Sequence, residues 1–367
     1  MKCIFTGGGT LGHTNPAIAV AEKIRERCNY AEIIFIMRAG GAENSEVIKR
    51  GFTVKEISVE GFMRNGGIRS SIRTSLLATR AINECIEIIK EVKPSFIFGT
   101  GGYVSFPPMV SGLIKGVPTF VHESNSMPGL VTKIVTKMGA VPLVSAEAAR
   151  DRLKCKNSCK VVGTPLLSCF GTISKDDARR QLGINQNKFF IVSFGGSGGS
   201  KVLNDIILDL MNERYGKRVN IMQIHATGEK YYNKAQLQYP NLTDGSAEQK
   251  VVSRIDNMPL YMSAADLIIC RCGASTIAEI LAVGRPAILI PSPNVTDNHQ
   301  YENGLSLTSK NAAIMIEEAD LTKEALAIKI SLLMQSEGSR RSLEENLKKL
   351  KKTDSANIIT DILLSSL

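Results

Sequence analysis

Met1-Lys2-Cys3-Ile4-Phe5-Thr6-Gly7-Gly8-Gly9-Thr10-Leu11-Gly12-His13 opens the chain with a short apolar strand that breaks into glycine. The strand is predicted over Lys2–Phe5 and the helix after the turn over 15–27. The same grammar returns at Phe189–Phe194, which runs into Gly195-Gly196-Ser197-Gly198-Gly199 and then a helical stretch over Lys201–Glu213. A strand that passes through a glycine turn into a helix is the opening unit of a parallel, doubly wound sheet. Strands over 33–36, 53–57, 96–98, 119–121 and 140–143 follow the first opening, and strands over 219–224, 267–269 and 287–290 follow the second, with helical periods between them. This predicts an α/β protein of two Rossmann-like domains facing across a cleft. The expected limits are 1–164 and 165–345, with a last helix over 346–367, and the tail from about Thr322 to Leu367 reads as helical and charged.

The chain has 367 residues, 43% hydrophobic and 22% charged, enough for two domains with full cores. The apolar run at the N-terminus is too short for a signal peptide, and no stretch reaches the ~20 apolar residues of a spanning helix. A cytosolic or peripherally attached protein is expected. Eight scattered Cys and four His form no zinc-like spacing, so neither metal nor cofactor is expected. The net charge of +10 is concentrated in residues 1–160, which hold 22 Lys+Arg against 13 Asp+Glu. Such asymmetry suits an anionic surface or a polyanionic substrate. Nucleic acid is disfavoured, because there is no finger motif, stacking platform or basic tail.

Chemistry is expected where polar residues follow strands. The loop Thr6–His13 lacks the spacing of a dinucleotide fingerprint or a P-loop, but it carries His13 at the mouth of the turn, as a base or as a helix-end residue. Gly99-Thr100-Gly101-Gly102-Tyr103-Val104-Ser105 reads as a cradle for an anion or sugar hydroxyls, or as a tight turn. His122-Glu123-Ser124-Asn125 follows an apolar strand, with His122 either functional or packed beneath its loop. In the second half, Gly195–Ser200 is a phosphate-loop candidate. Arg271-Cys272-Gly273-Ala274-Ser275-Thr276 begins a helix whose Glu279 can accept both hydroxyls of a ribose or can serve the helix end. Asp297-Asn298-His299-Gln300 offers polar groups after a Pro-Ser-Pro turn.

Residues 61–80 contain four Arg and no acid. Ile68, Ile72 and Leu76 recur at four-residue spacing, Phe62 and Met63 precede them, and Arg64, Arg69, Arg73 and Arg80 flank them. The stripe reads as an interfacial helix for an anionic membrane surface, or as an ordinary packed helix.

Taken together the loops resemble the MurG family of bacterial cell-wall glycosyltransferases. The matching pieces are TGGGTLGH at 6–13 with Asn15-Pro16-Ala17, GTGGYVS at 99–105, HESN at 122–125 with Pro128-Gly129-Leu130, FGGSGG at 194–199, CRCGASTIAEI at 270–280 and IPSPNVTDNHQ at 290–300. They keep order and spacing along the whole chain. The resemblance implies a GT-B fold whose last helix crosses back to the first domain. It implies an inverting transfer of N-acetylglucosamine from UDP-GlcNAc to the C4 hydroxyl of MurNAc in an undecaprenyl-pyrophosphoryl pentapeptide, without a metal. It assigns Glu279 to ribose, and Gly196, Ser197 and Gly198 to the diphosphate. It sets Thr10, Gly12, Asn125, Arg271, Ala274, Ser275, Thr276, His299 and Gln300 against the nucleotide-sugar. His13 becomes the acceptor-side base or its organiser, with Asn125 beside the chemistry, and Gly9, Gly102, Tyr103 and Ser105 shape the acceptor pocket. The implied setting is peripheral, on the cytoplasmic face of the membrane against anionic lipid, in a possible cell-wall synthesis complex.

The family commonly carries Gly-Asn-Pro-Val-Arg where this chain has Gly163-Thr164-Pro165-Leu166-Leu167, so neutralising the diphosphate falls to Lys201 or Arg271. HESN stands for the commoner HEQN, and Cys272 for a usual Ser. Rival readings are a same-fold transferase with another lipid or small-molecule acceptor, a UDP-sugar 2-epimerase, and a non-enzymatic nucleotide-sugar-binding protein.

Overall fold

The computed structural model describes residues 1–60, 68–155, 159–214, 220–244, 248–351 and 354–367, with the backbone alone at 68–76 and 296. The chain divides into two compact units, Met1–Leu167 with Thr353–Leu367, and Ser168–Lys352.

In unit 1 the elements run β1 (Lys2–Thr6), α1 (Leu11–Arg27), β2 (Glu32–Arg38), α2 (Asn44–Lys49), β3 (Thr53–Ile57), α3 (Ile68–Val92), β4 (Phe96–Gly99), α4 (Phe106–Ile114), β5 (Thr119–Glu123), α5 (Leu130–Lys137), β6 (Val141–Val144), α6 (Glu147–Leu153) and β7 (Lys160–Val161). The strands are parallel, in the order β3-β2-β1-β4-β5-β6-β7. Alternate residues serve opposite faces, as the pleat requires. Cys3, Phe5, Phe35, Met37, Phe96 and Phe98 form one core layer with Ile18 and Ile24 of α1. Ile4, Ile34, Ile36, Ile97 and Val121 form the other, with Ala81 and Cys85 of α3 and Met109 of α4. Phe5 stacks on Phe35 at 5.4 Å and meets Phe98 edge-on at 5.6 Å. Each such ring contributes roughly 1.5–3 kcal/mol through burial. Helix α1 starts earlier than its sequence suggests. Pro16 is a frequent first-turn residue, so a start after Asn15 is expected, yet the helix begins at Leu11 and carries Pro16 inside it.

Unit 2 continues with α7 (Lys175–Leu182), β8 (Phe189–Phe194), α8 (Lys201–Arg214), β9 (Ile221–Ala226), α9 (Glu229–Gln238), α10 (Pro240–Thr243), β10 (Gln249–Val252), α11 (Met258–Ala264), β11 (Leu267–Arg271), α12 (Ala274–Val283), β12 (Ala287–Ile290), α13 (His299–Thr308), β13 (Ile314–Met315), α14 (Lys323–Gln335) and α15 (Glu337–Leu350). Its parallel order is β10-β9-β8-β11-β12-β13. One face packs on α11, α12 and α15, the other on α8 and α14. Coverage on both sides explains why these strands read as unbroken apolar runs.

The chain then returns to unit 1 as α16 (Ser355–Leu364). Its Ile359 and Leu363 enter the aromatic layer under α1, and Arg27 bonds Asp361 and Asn357. The returning piece is shorter than the 346–367 expected for the last helix, because α15 extends to Leu350 within unit 2.

Candidate active site

Both sheets have the order in which the second and fourth strands' connections leave in opposite directions, opening a crevice beside the first strand at its carboxyl end. In unit 1 that crevice lies between β1 and β4. The loop after β1 and the loop after β4 press backbone on backbone. A Cβ at Gly102, whose φ is +76°, would come 2.6 Å from the Gly8 carbonyl oxygen. Only glycine fits there.

His13 stands in the first turn of α1, half-buried between these loops. Its Nδ1 donates to the Thr100 carbonyl at 2.8 Å, and Thr100 Oγ1 donates to the His13 carbonyl at 2.6 Å. A carbonyl only accepts, so Nδ1 carries the hydrogen, and in the neutral ring Nε2 holds the lone pair. The Tyr103 ring lies beside Gly9. Ser105 is buried and donates to the Gly102 carbonyl at 2.8 Å, so it braces the turn from beneath.

The HESN segment divides into distinct tasks. His122 is fully buried, bonded to the Gly163 carbonyl at 2.9 Å, and desolvation depresses its pKa to about 4. It is a neutral packing residue, which settles the alternative left open by its sequence. Glu123 is buried and accepts four bonds: Asn125 N–H and Nδ2 on Oε1, both at 3.0 Å, and Gly129 N–H at 2.9 Å and Thr132 Oγ1 at 2.7 Å on Oε2. Asn125 is therefore oriented by Glu123, a residue that sequence reasoning passed over. Its signal was present only as an acid between two polar neighbours.

In unit 2 the crevice lies between β8 and β11. Gly196, Ser197 and Gly198 are exposed at the turn. Gly199, at φ +70°, packs so closely that a Cβ would sit 2.1 Å from the Thr227 carbonyl oxygen. Helix α12 starts after Gly273, which has no side chain to cap it. Ala274, Ser275 and Thr276 are half-buried there. Glu279 follows on the next turn. It is half-buried, has no hydrogen-bond or ion-pair partner among the described residues, and burial raises its carboxyl to about 8. A carboxylate so placed gains from hydroxyl donors that a ligand brings.

Arg271 does not offer a free charge. Its guanidinium is buried, donates to Ser200 Oγ at 2.6 and 3.2 Å and to the Pro291 carbonyl at 3.1 Å, and pairs with Glu318. It is a strut that fixes the start of α8. Lys201 is exposed and paired with Asp205 at 2.7 Å. Gln300 accepts from Ser292 N–H at 2.9 Å, and His299 beside it opens α13. Asn303, absent from the sequence-derived set, donates to the Cys272 carbonyl at 3.2 Å and ties α13 to the α12 loop. A cavity of about 360 Å³ at the ends of β12 and β13 is lined by Pro291, Ser292, Asn298, Tyr301 and Glu318, among others.

The membrane stripe falls largely outside the described residues: Phe62 and Met63 entirely, and Ile68, Arg69, Ile72, Arg73 and Leu76 as side chains. Arg80 is exposed and pairs with Glu84 at 3.2 Å. Among the described residues no helix is long and apolar enough to cross a membrane.

Residues 3–140 match the glycosyltransferase family 28 N-terminal domain, and residues 190–361 match its C-terminal domain. The chain is 36% identical over 366 residues, covering all of both chains, to the UDP-N-acetylglucosamine–N-acetylmuramyl-(pentapeptide) pyrophosphoryl-undecaprenol N-acetylglucosamine transferase of Thermoanaerobacter sp. (strain X514). The Bacillus licheniformis enzyme of that name is 32% identical, over 99% of this chain and 98% of its own. Among solved structures, Acinetobacter baumannii MurG superposes with a TM-score of 0.74 at 23% identity, covering 99% of each chain. A putative UDP-N-acetylglucosamine 2-epimerase from Listeria monocytogenes superposes at 0.68 with 11% identity, over 99% of this chain and 96% of its own, which shows a shared fold alone. The architecture is GT-B. With both family 28 domains in order and full-length identity to its members, the chain belongs to the MurG family, the UDP-N-acetylglucosamine–N-acetylmuramyl-(pentapeptide) pyrophosphoryl-undecaprenol N-acetylglucosamine transferases.

Proposed function

We propose that this chain transfers N-acetylglucosamine from UDP-GlcNAc to the C4 hydroxyl of MurNAc in undecaprenyl-pyrophosphoryl-MurNAc-pentapeptide, with unit 2 holding the donor and unit 1 the acceptor. The observation that carries the donor side is Glu279: a desolvated carboxyl with no hydrogen-bond or ion-pair partner among the described residues, one turn into an uncapped helix, at the crevice of a Rossmann-ordered sheet. Two ribose hydroxyls donating to it favour its ionised form and fix the nucleoside. The diphosphate then lies at the starts of α8 and α12, where backbone N–H groups and helix dipoles stabilise the charge that gathers on UDP as it leaves.

On the acceptor side, Nε2 of His13 takes the proton of the C4 hydroxyl as its oxygen bonds to the anomeric carbon. The anomeric carbon–phosphate oxygen bond breaks on the opposite face, UDP keeps the electron pair, and configuration inverts. Asn125, aimed by Glu123, orients a sugar hydroxyl. The protein works peripherally at the cytoplasmic face of the membrane, where the basic stretch 61–80 meets anionic lipid and the acceptor's polyprenyl chain stays in the bilayer.

The test is UDP release measured with the undecaprenyl-linked muramyl-pentapeptide, with diacylglycerol, and with no acceptor. Release stimulated by the muramyl lipid alone is expected. Equal release with diacylglycerol, or interconversion of the free sugar nucleotide without acceptor, would replace this reading by one of its rivals.

A further inference from the structure

A polar strip crosses the apolar layer between the unit 2 sheet and α8, and no step of the transfer uses it. Ser193 of β8 pairs with His225 of β9, and Gln223 stands two residues before His225 on the same face of the sheet. Asn204 meets them from α8. None of these four residues is more than 3% exposed.

Their hydrogen-bond roles follow from one end of the strip. The Thr227 carbonyl only accepts, so Asn204 turns Nδ2 to it, at 2.9 Å. Asn204 Oδ1 then faces His225 Nε2 at 3.1 Å, and Nε2 carries the hydrogen. Burial pushes the His225 pKa down to about 4, so the ring is neutral and Nδ1 accepts. Of the two groups beside Nδ1, the Ser193 carbonyl at 3.1 Å has no hydrogen to give, and Ser193 Oγ at 3.0 Å donates. Having given its hydrogen, Ser193 Oγ accepts from Gln223 Nε2 at 3.0 Å, and Gln223 Oε1 accepts from Arg214 at 3.0 Å. The bonds all run one way, from a guanidinium to a backbone carbonyl, and each polarises the next. The turn after β8 rests on that carbonyl through Gly199, and a Cβ at Gly228 would come 2.8 Å from the Gly199 nitrogen. Asn204 also fixes the start of α8, its N–H donating to the Ser200 carbonyl at 2.9 Å. Apolar side chains such as Ile191 and Leu203 fill the rest of this layer, so stability alone does not call for the strip.

We propose that His225 is a positioning residue of the donor site: its ring relays a one-way chain of hydrogen bonds from Arg214 to the Thr227 carbonyl, and so holds the glycine turn after β8 in the shape that receives the nucleotide's diphosphate. This rests on the reading that unit 2 holds UDP-GlcNAc. His225 itself touches neither substrate nor the reacting atoms. It acts through Asn204 and the loop after β9, on the side of α8 away from the Arg271 strut.

The test is calorimetric titration of UDP and of uridine, which lacks the diphosphate, into wild type, His225→Leu and His225→Gln. Glutamine can accept from Ser193 through Oε1 and donate to Asn204 through Nε2, so it preserves the relay, whereas leucine cuts it. His225→Leu should lose at least about tenfold in UDP affinity with uridine affinity unchanged, and His225→Gln should restore most of the loss. In turnover the KM for UDP-GlcNAc should rise in the Leu variant while that for the acceptor stays at wild type. Wild type that binds UDP no better than uridine overturns the donor reading and the relay with it. Wild type that prefers UDP, with a Leu variant keeping that preference or losing both ligands equally, overturns the relay alone, as does a folded Gln variant no better than Leu. Should the Leu variant fail to fold, nitrogen-15 NMR of the wild-type imidazole, assigned by the signal missing from His225→Gln, decides: the hydrogen is expected on Nε2, and a ring protonated on Nδ1 overturns the proposal.

Discussion

The crevices of unit 1 and unit 2 share strand order, a glycine turn and a helix start, yet they are furnished with opposite chemistry. The first is closed on itself: its two loops touch backbone to backbone, Glu43 holds Gly9, and His13 is fixed to Thr100 through Nδ1. The second is open: Gly196, Ser197 and Gly198 face solvent, and Glu279 has no hydrogen-bond or ion-pair partner among the described residues. One topology therefore makes a place for a ligand twice. The side chains placed in each crevice then set the proposed division of work, with His13 beside the acceptor and Glu279 beside the donor.

The strongest test of that division is His13→Ala, expected to lower turnover by roughly 10²–10⁴ while UDP-GlcNAc affinity, measured by calorimetry, stays at wild type. Near-normal turnover on the lipid acceptor would strip unit 1 of its chemical role. Next comes Arg271→Ala, which leaves Glu318 without its cation and Ser200 without its anchor. Breaking a buried pair of this kind costs about 3–5 kcal/mol, so a lower melting temperature and weaker UDP binding are expected together. Unchanged UDP affinity in the folded variant would show that the start of α8 does not depend on the strut.

Glu279→Ala should weaken UDP-GlcNAc binding by about 1.5–3 kcal/mol, with acceptor affinity untouched. Its pH behaviour sharpens the point. Because the folded carboxyl is raised to about 8, above its ordinary value of 4.5, the free protein holds a proton there that the unfolded chain has released. Stability of the ligand-free protein should therefore fall as pH rises from about 4.5 to 8, and Glu279→Gln should flatten that slope in thermal melts. UDP-GlcNAc affinity should rise over the upper part of the same range as the carboxylate forms, and level off above it. An affinity flat with pH would mean that the ionised form is not the one that meets ribose. The smallest effect on the donor site and on the fold is expected of Arg69→Glu with Arg73→Glu. At about 1 kcal/mol per Arg, the pair should reduce binding to anionic vesicles and turnover on membrane-embedded acceptor, with UDP affinity and melting temperature preserved. Co-sedimentation equal to wild type would move the lipid surface away from this stretch.

Much of the fold was legible because parallel strands covered on both faces are continuous apolar runs, and Phe189–Phe194 or Phe96–Gly99 can hardly be read otherwise. The short strands β7, β10 and β13 were missed for the converse reason. Lys160–Val161 and Ile314–Met315 are two residues long, and Gln249–Val252 carries a buried Gln249 that bonds the Ile221 carbonyl, so none presents an apolar run.

By itself the sequence determined that glycine turns follow the first strand of each half, that His13 stands at the mouth of the first turn and Glu279 inside a helix beyond a later strand end, and that the motifs fall in family order, because each of these is local: a few neighbouring residues set the backbone path. Only the tertiary structure decided what surrounds them. Glu43 reaches Gly9 across 34 positions, Arg271 reaches Ser200 across 71 and Glu318 across 47, and His122 finds the Gly163 carbonyl across 41. A carboxylate bonded to a glycine amide, a committed arginine and a neutral buried histidine are properties of pairs brought together by sheet order, and no local pattern of either partner contains them.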